Sequence, residues 1–300
     1  MKIVQVILVS VIALIQMSCQ QPSRPNDGGR VMRIGFMICN SEHETLQRFR
    51  PLTAYLSKKL GVQFEAVAID TVDFTKEVDR LDFTHTNSLL YIIMNRNQGV
   101  EILAAEKSGP LGARAKGLII ALKKSSSRAV RDLKGKTMIF GPMLGPTSYM
   151  SQLDILLKNG IDPEGDLATY IIPEGTFKHE KVIYGVLFGK IDAGAAPLID
   201  FERMVRDGRI DRNDFTVVAE GEPMPYCNFA VTQKVDEGLA KRFKQALLGL
   251  TKDDTVEVDG EVVKVLERAQ IDGYDDSSDK DFNVVREMAK RTNMPPYQRY

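Results

Sequence analysis

The chain has no excess charge of either sign: forty Lys and Arg stand against forty Asp and Glu in 300 residues. A sequence-independent nucleic-acid binder carries a basic surplus, so that class is excluded. No global field draws an anion in, and any anion bound here must be held by local donors. Histidine and cysteine are scarce, at three each. His43, His85 and His179 are scattered and no C-x-x-C spacing occurs, so no metal site is expected. The G-x-S-x-G elbow is missing as well. Ser148, His179 and Asp192 supply the residue types of a triad, but a serine at a helix start without that elbow is more readily a cap or an anion ligand. The chain is not expected to be an enzyme, and no cofactor is implied. Internal repeats are absent beyond a similar order of elements in two series. Long apolar runs are absent outside the first nineteen residues.

Residues 1–19, MKIVQVILVSVIALIQMSC, place one lysine before an apolar run broken only by Gln5, Ser10 and Gln16. The run is near signal-peptide length and short for a membrane span. Ser18 precedes Cys19, and the polar QQPSRPNDGGR follows. This is similar to a bacterial lipoprotein signal, although Gln16 stands where such signals usually carry Leu. The resemblance implies that Cys19 is lipidated and becomes the mature N-terminus. A plain signal peptide and an uncleaved anchor are the alternatives, and all three export the globular part. Residues 1–19 are therefore read as signal and 20–30 as linker. Export permits a disulfide between Cys39 and Cys227; a pair of small buried hydrophobes is the equal alternative.

With 43% hydrophobic residues the chain can bury a sizeable core, in one or two domains. The stretch that organises it is residues 137–161, TMIFGPMLGPTSYMSQLDILLKNGI. It reads as a short strand, a Gly/Pro loop and a helix carrying Met150, Leu153, Leu156 and Leu157 at helical spacing, stopped by Asn159-Gly160. Pro146, Thr147 and Ser148 stand at the helix start. The first N–H groups of a helix lack internal partners and carry the positive end of its dipole. Two hydroxyls beside them make either an ordinary cap or a compact oxyanion pocket.

Upstream, residues 31–39 form a strand, and Ser41 with Glu44 has capping-box spacing before a helix through Leu46, Phe49, Leu52, Leu56 and Leu60. Further strands are expected at 64–69, 82–84, 101–105, 169–172, 192–196 and 226–231, separated by helices at 71–81, 89–94, 176–189 and around Leu239–Leu250. Residues 251–283 are acidic and read as loop-rich, and a last helix lies at 282–290. Alternating strand and helix imply βαβ units and a mostly parallel sheet. Apolar runs at 117–122 and 215–219 bracket the second series, so paired hinge strands are expected near 117–122 and 215–220. Lobe 1 is then 31–118 with 219–300, and lobe 2, inserted, is 119–218. Ligands of such sheets bind beyond the carboxyl ends of the strands.

The ordered pieces RIGFMIC, RFRPLTAYLSKKLGVQFEAVAI, LDFTHTNSLLY, RDLKGKTMIFGP, PTSYMSQLDILLKNGIDPEG and GTFKHEKVIYGVLFGKIDAGA resemble the phosphate/phosphite/phosphonate-type periplasmic binding proteins of ABC transporters, over roughly residues 31–290. The resemblance implies a type II periplasmic-binding-protein fold: two α/β lobes, a two-strand hinge, and a ligand trapped in the cleft. The family's helix-start motif, typically Ser-Thr-Ser-Gly, holds phosphoryl oxygens. It falls here on Pro146-Thr147-Ser148-Tyr149, so Thr147 and Ser148 carry over, while Pro146 lacks hydroxyl and N–H and Tyr149 adds bulk. The ligand set implied is Thr147, Ser148, Tyr149, His179 and Asp192 from lobe 2, with Asn87, Ser88 and Tyr91 closing from lobe 1. For His179 a surface helix start, for Asp192 a backbone-fixing role, and for Tyr91 a core position are the alternatives. The implied function is an exported protein that traps a small phosphonate-, phosphite- or phosphate-like oxyanion for an ABC permease in the inner membrane. A ligand sensor for a receptor or histidine kinase and a non-binding scaffold lipoprotein are the other readings. The protein is expected to be a monomer, without nucleic acid as partner.

Overall fold

The computed structural model describes residues 29–174 and 178–299. The signal segment, Cys19 and the expected helix start at Thr176 lie outside the described residues.

The first strand, β1 (Met32–Met37), is buried except at Arg33 and leads into α1 (Glu42–Leu60). Ser41 caps α1 by accepting from the Glu44 N–H at 3.2 Å, while the Glu44 carboxylate accepts instead from Asn40 at 2.7 Å. Phe49, Leu52 and Leu56 form the buried stripe of α1, and Gly61 ends it at φ 67°, a left-handed conformation that favours glycine. The chain continues through β2 (Phe64–Ile69), α2 (Phe74–Glu77), β3 (Phe83–Thr86), α3 (Ser88–Gln98) and β4 (Glu101–Lys107). Helix α3 is buried on every side from Ser88 to Met94, as an almost wholly apolar helix must be.

Two short strands and a second series follow: β5 (Arg114–Ala115), β6 (Gly117–Leu122), β7 (Thr137–Ile139), α4 (Ser151–Lys158), α5 (Pro163–Asp166), β8 (Thr169–Ile171), α6 (His179–Leu187), β9 (Ala193–Pro197), α7 (Leu198–Arg206) and β10 (Phe215–Glu220). The chain returns through β11 (Met224–Pro225), β12 (Asn228–Val231), α8 (Glu237–Leu248), a hairpin β13 (Thr255–Val258)–β14 (Glu261–Lys264), α9 (Val265–Ala269), β15 (Gly273–Asp276) and α10 (Asn283–Arg291).

These strands make two principal sheets, in the orders β15-β4-β12-β3-β1-β2 and β10-β6-β9-β7-β8. In the first, β2, β1, β3 and β4 share one direction and β12 and β15 oppose it; in the second only β6 opposes the rest. The expected two α/β lobes are present, as part of one compact unit that begins at Val31. Residues 117–122 and 215–220 do pair, antiparallel, but within the second sheet, where Gly117 also faces Pro197 of β9. The ladder between the sheets is a separate one, β5 with β11, matching Ala115 to Met224 and Arg114 to Pro225. The acidic stretch expected to be loop contributes a hairpin and an edge strand instead. Asp259 and Gly260, at φ 53° and 82°, turn the hairpin.

Apolar clusters cover both faces of each sheet. One of them draws Met150 from the second series and Met224 from the β5–β11 ladder into contact with α3 and α10. An ion pair reinforces that side: Arg291 of α10 donates to both carboxylate oxygens of the buried Asp154 of α4, at 2.6 and 3.1 Å. Burial works against the charge on Asp154, but hydrogen bonds from Arg291 and Lys158 outweigh it and hold the carboxyl below its usual pKa.

Candidate functional site

The carboxyl ends of β1, β3, β4, β7 and β9 converge on one cavity of about 110 Å3. The helix that begins at Pro146 provides its most specific wall. Residues Pro146–Met150 form a π turn rather than an α turn. The Gly145 carbonyl accepts from Ser148, Tyr149 and Met150 at 3.4, 2.9 and 3.2 Å, and the Pro146 carbonyl accepts from Ser151, five residues on. Single π turns inside helices are rare and cluster at functional sites. Two glycines make this one possible. A Cβ on Gly145 would lie 2.2 Å from the Ser148 Oγ, and one on Gly141 would lie 2.4 Å from the Ser148 Cβ. The Gly141 N–H donates to the Ser148 carbonyl at 2.7 Å and closes the loop. Gln152 secures the turn from behind, its side-chain amide donating to Thr147 O at 2.8 Å and Leu118 O at 3.0 Å.

This geometry leaves donors unspent. Ser148 is 1% exposed, its hydroxyl has no partner among the described residues, and it makes no side-chain cap. Neither a hydroxyl nor an N–H is available from Pro146, and the Thr147 N–H has no acceptor among the described residues. A buried polar group without a partner costs roughly 1–3 kcal/mol, so such groups call for an explanation. Across the cavity His179 opens α6, with its Nδ1 also unpartnered among the described residues. Burial pushes its pKa below that of a free imidazole, with Asp200 opposing that shift and Arg203 adding to it.

From the first lobe Asn87 reaches the cavity, but its side chain is already committed. It accepts from the Leu90 N–H at 2.9 Å as the cap of α3, and donates to Leu144 O at 3.0 Å, tying β3 to the Gly/Pro loop. The other sequence candidates stand away from the lining. Tyr149 packs on Phe140, ring centroids 5.2 Å apart, because the π turn rotates it towards the cores. Ser88 is fully buried at the start of α3. Tyr91 is a core residue that donates to Asp279 at 2.8 Å and packs on Phe282 at 4.3 Å. Asp192 lies at the opposite, amino end of β9, accepting from the Thr137 N–H and hydroxyl at 2.8 Å each. The Thr137 backbone N–H holds its carboxyl below the usual range. Ser148, His179 and Asp192 thus do not meet in one constellation.

Several lining residues were not among the ligand candidates read from the sequence. Arg48 points its guanidinium over the Phe49 ring at 4.9 Å and donates to Ala269 O at 2.7 and 3.2 Å. His85 and Glu106 form a buried pair, Nε2 to Oε2 at 2.9 Å, inside an aromatic setting of Phe36, Phe49 and Phe229. Asp200 and Arg203, 3.5 Å apart on α7, enter from the second lobe. Cys39 and Cys227 both line the cavity as free thiols, Cys39 exposed and Cys227 buried. Glu106 alone had a visible sequence signal, as an acid inside the strand EILAAEK. Arg48 sits where any solvated helix residue would sit, and nothing local marks it.

A family model described as phosphonate ABC transporter, periplasmic substrate-binding protein, matches residues 34–282. The chain belongs to this family. It is the periplasmic substrate-binding component of an ABC transporter, which makes a small anion and a membrane permease its partners and places it outside the cytoplasm. Among solved structures it resembles PhnD1 from Prochlorococcus marinus in complex with methylphosphonate, at TM-score 0.72 and 15% identity over 88% of this chain and 98% of that one. A binding protein of an ABC phosphonate transporter from Pseudomonas aeruginosa follows at TM-score 0.70 and 16% identity, covering 88% and 86%. A Xanthomonas citri protein bound to ATP gives TM-score 0.70 at 18% identity, covering 88% and 97%. At these identities the likeness concerns the fold.

His179 supplies a pH test. Its folded pKa is lowered, so as pH falls below about 6.5 the unfolded chain takes up a proton before the folded one does. Stability is lost in that window, and the loss ends once pH passes below the folded value. Denaturant unfolding at pH 7 and pH 5 should show a smaller drop for His179→Gln than for the parent. Equal drops would place the titration elsewhere.

Proposed function

We propose that this binding protein holds the oxyanion of a phosphonate-like ligand against the π turn at Pro146–Met150. The supporting observation is the meeting of three uncommitted groups on one small cavity: the Ser148 hydroxyl, the Thr147 N–H and the His179 Nδ1. Thr147 and Ser148 act as donors, and His179 is a neutral donor or acceptor according to its tautomer. Asn87 sets the distance between the lobes through Leu144. Tyr149, Ser88, Tyr91 and Asp192 serve the framework rather than the ligand. Release to the permease follows opening of the cleft about the β5–β11 ladder.

The formal charges on the wall balance, Arg48 and Arg203 against Glu106 and Asp200. Affinity therefore rests on directed hydrogen bonds, each worth about 1.5–3 kcal/mol to a charged group, or roughly ten- to hundredfold in Kd. Ser148→Ala should weaken methylphosphonate binding by about that factor in calorimetric titration. Because the hydroxyl has no partner among the described residues, the melting temperature of the variant should not fall. A lowered melting temperature with unchanged affinity would return Ser148 to a purely structural role.

The N-terminus completes the proposal: Cys19 is lipidated and tethers a monomeric binding protein to the membrane. Mass spectrometry of the mature protein from its native envelope should find a diacylglyceryl-modified cysteine as first residue. An unmodified N-terminus at any other position would refute the anchor.

A further inference from the structure

A second cavity, of about 500 Å3, shares Ser108, Ile199, Arg203 and Gln270 with the anion cavity. The two spaces differ in scale. About 110 Å3 is three or four waters' worth at roughly 30 Å3 each, enough for a phosphoryl head and little more. About 500 Å3 falls within the range of pockets for organic ligands, roughly 300–1,000 Å3.

The walls of the outer cavity also differ. Its four cations are engaged within the protein: Arg114 with Asp281 at 3.6 Å, Lys116 with Glu220 at 3.2 Å, Arg203 with Asp200 at 3.5 Å and Arg206 with Asp207 at 3.3 Å. Of its acids, Asp272 accepts from the Gly109 N–H at 2.9 Å and pairs with Lys252 at 3.3 Å, and Glu202 is held by Arg212. Among the described residues Glu267 has no ion-pair partner and each lining cation has one, so the wall offers a second phosphate no uncommitted cation. What it offers instead is apolar surface from the half-buried Leu111, Leu198 and Ile199, backed by the buried Leu266 and Ile271.

We infer that the ligand is a monosubstituted phosphoryl compound with a sizeable, mainly apolar substituent, its head in the inner cavity and its substituent in the outer one. This rests on the oxyanion reading above and extends it to the ligand's other end. Leu111 and Leu198 line only the outer cavity, from a loop and from α7, and so determine which substituents fit.

The test is calorimetric titration of the mature chain with methylphosphonate, hexylphosphonate and hexyl phosphate. Each methylene that leaves water for an apolar wall gains up to about fourfold in affinity, so hexylphosphonate should bind at least tenfold more tightly than methylphosphonate. Leu111→Trp, which fills the outer space, should remove that gain and leave methylphosphonate binding unchanged. Leu198→Trp repeats the block from a different element, should the first variant fold poorly. Hexyl phosphate matching hexylphosphonate would identify an ester as the ligand source, and a weaker ester would identify a carbon–phosphorus compound; either ranking supports a substituted phosphoryl ligand. Methylphosphonate binding with no gain for the hexyl compounds overturns this inference and leaves the oxyanion reading standing. A gain that persists in both Trp variants also overturns it. Silence towards all three compounds overturns both.

Discussion

Ser148 is held between two glycines, and the shape of the cavity beside it depends on that contact. With Gly141 and Gly145 reduced to backbone, the loop closes tightly enough for the Gly141 N–H to reach the Ser148 carbonyl. Three successive N–H groups then crowd onto one carbonyl, that of Gly145, and the helix opens with a π turn. Here the Ser148 hydroxyl stays enclosed and without a partner among the described residues. The stability lost by leaving it so is offset by the packing of Met150 into a core shared by both series and by the Gln152 amide behind it.

The same rigidity reaches the opposite lobe. Asn87 caps α3 with its oxygen and holds Leu144 with its nitrogen, so the end of β3 and the Gly/Pro loop are set at a fixed distance. On the far side Arg291 and Asp154 join α10 to α4. The charges inside the cavity add a constraint of another kind. The buried His85–Glu106 pair places an acid on the wall of the proposed oxyanion site, so an oxyanion held there would gain little from the overall field. Selectivity must then come from donor geometry, which only a stiff turn can maintain.

The fold was largely legible in the amino-acid sequence because its signals are periodic and local. Leu52 and Leu56 mark the buried face of α1, Ser41 its start and Gly61 its end, and each does in the structure what its residue type favours. The hairpin at residues 255–264 was missed although Asp259-Gly260 is a hairpin turn signal, because the acidic composition around it masks a short exposed ladder. Edge strand β15 was missed for a different reason: its GYDD sequence has no alternation, and pairing to β4 alone defines it. The crossing ladder was misplaced by a few residues since β5 and β11 are two residues each, too short for any pattern.

The site was less legible. Spacing put Thr147, Ser148 and His179 at helix starts and Asn87 at a cap, and the structure brings all four to the lining of one cavity. Tyr149, one residue past Ser148, is turned away by a π turn that no propensity foretells. Asp192 sits at the wrong end of its strand for a cleft residue, and its bonds to Thr137 give it a complete structural role. Arg48, Glu106 and Asp200 come from three separate elements. Only the assembled sheets bring them to one cavity, so no local motif could have named them together.

The account turns on the Thr147 N–H meeting a ligand oxyanion at the head of the π turn. An amide nitrogen–proton correlation spectrum, recorded as methylphosphonate is titrated in, reads that contact directly. The Thr147 amide proton should move strongly downfield, with Ser148 following, and saturate with the same Kd as calorimetry gives. Saturable binding that leaves the Thr147 amide unmoved while amides elsewhere shift would place the anion at another site and contradict the account.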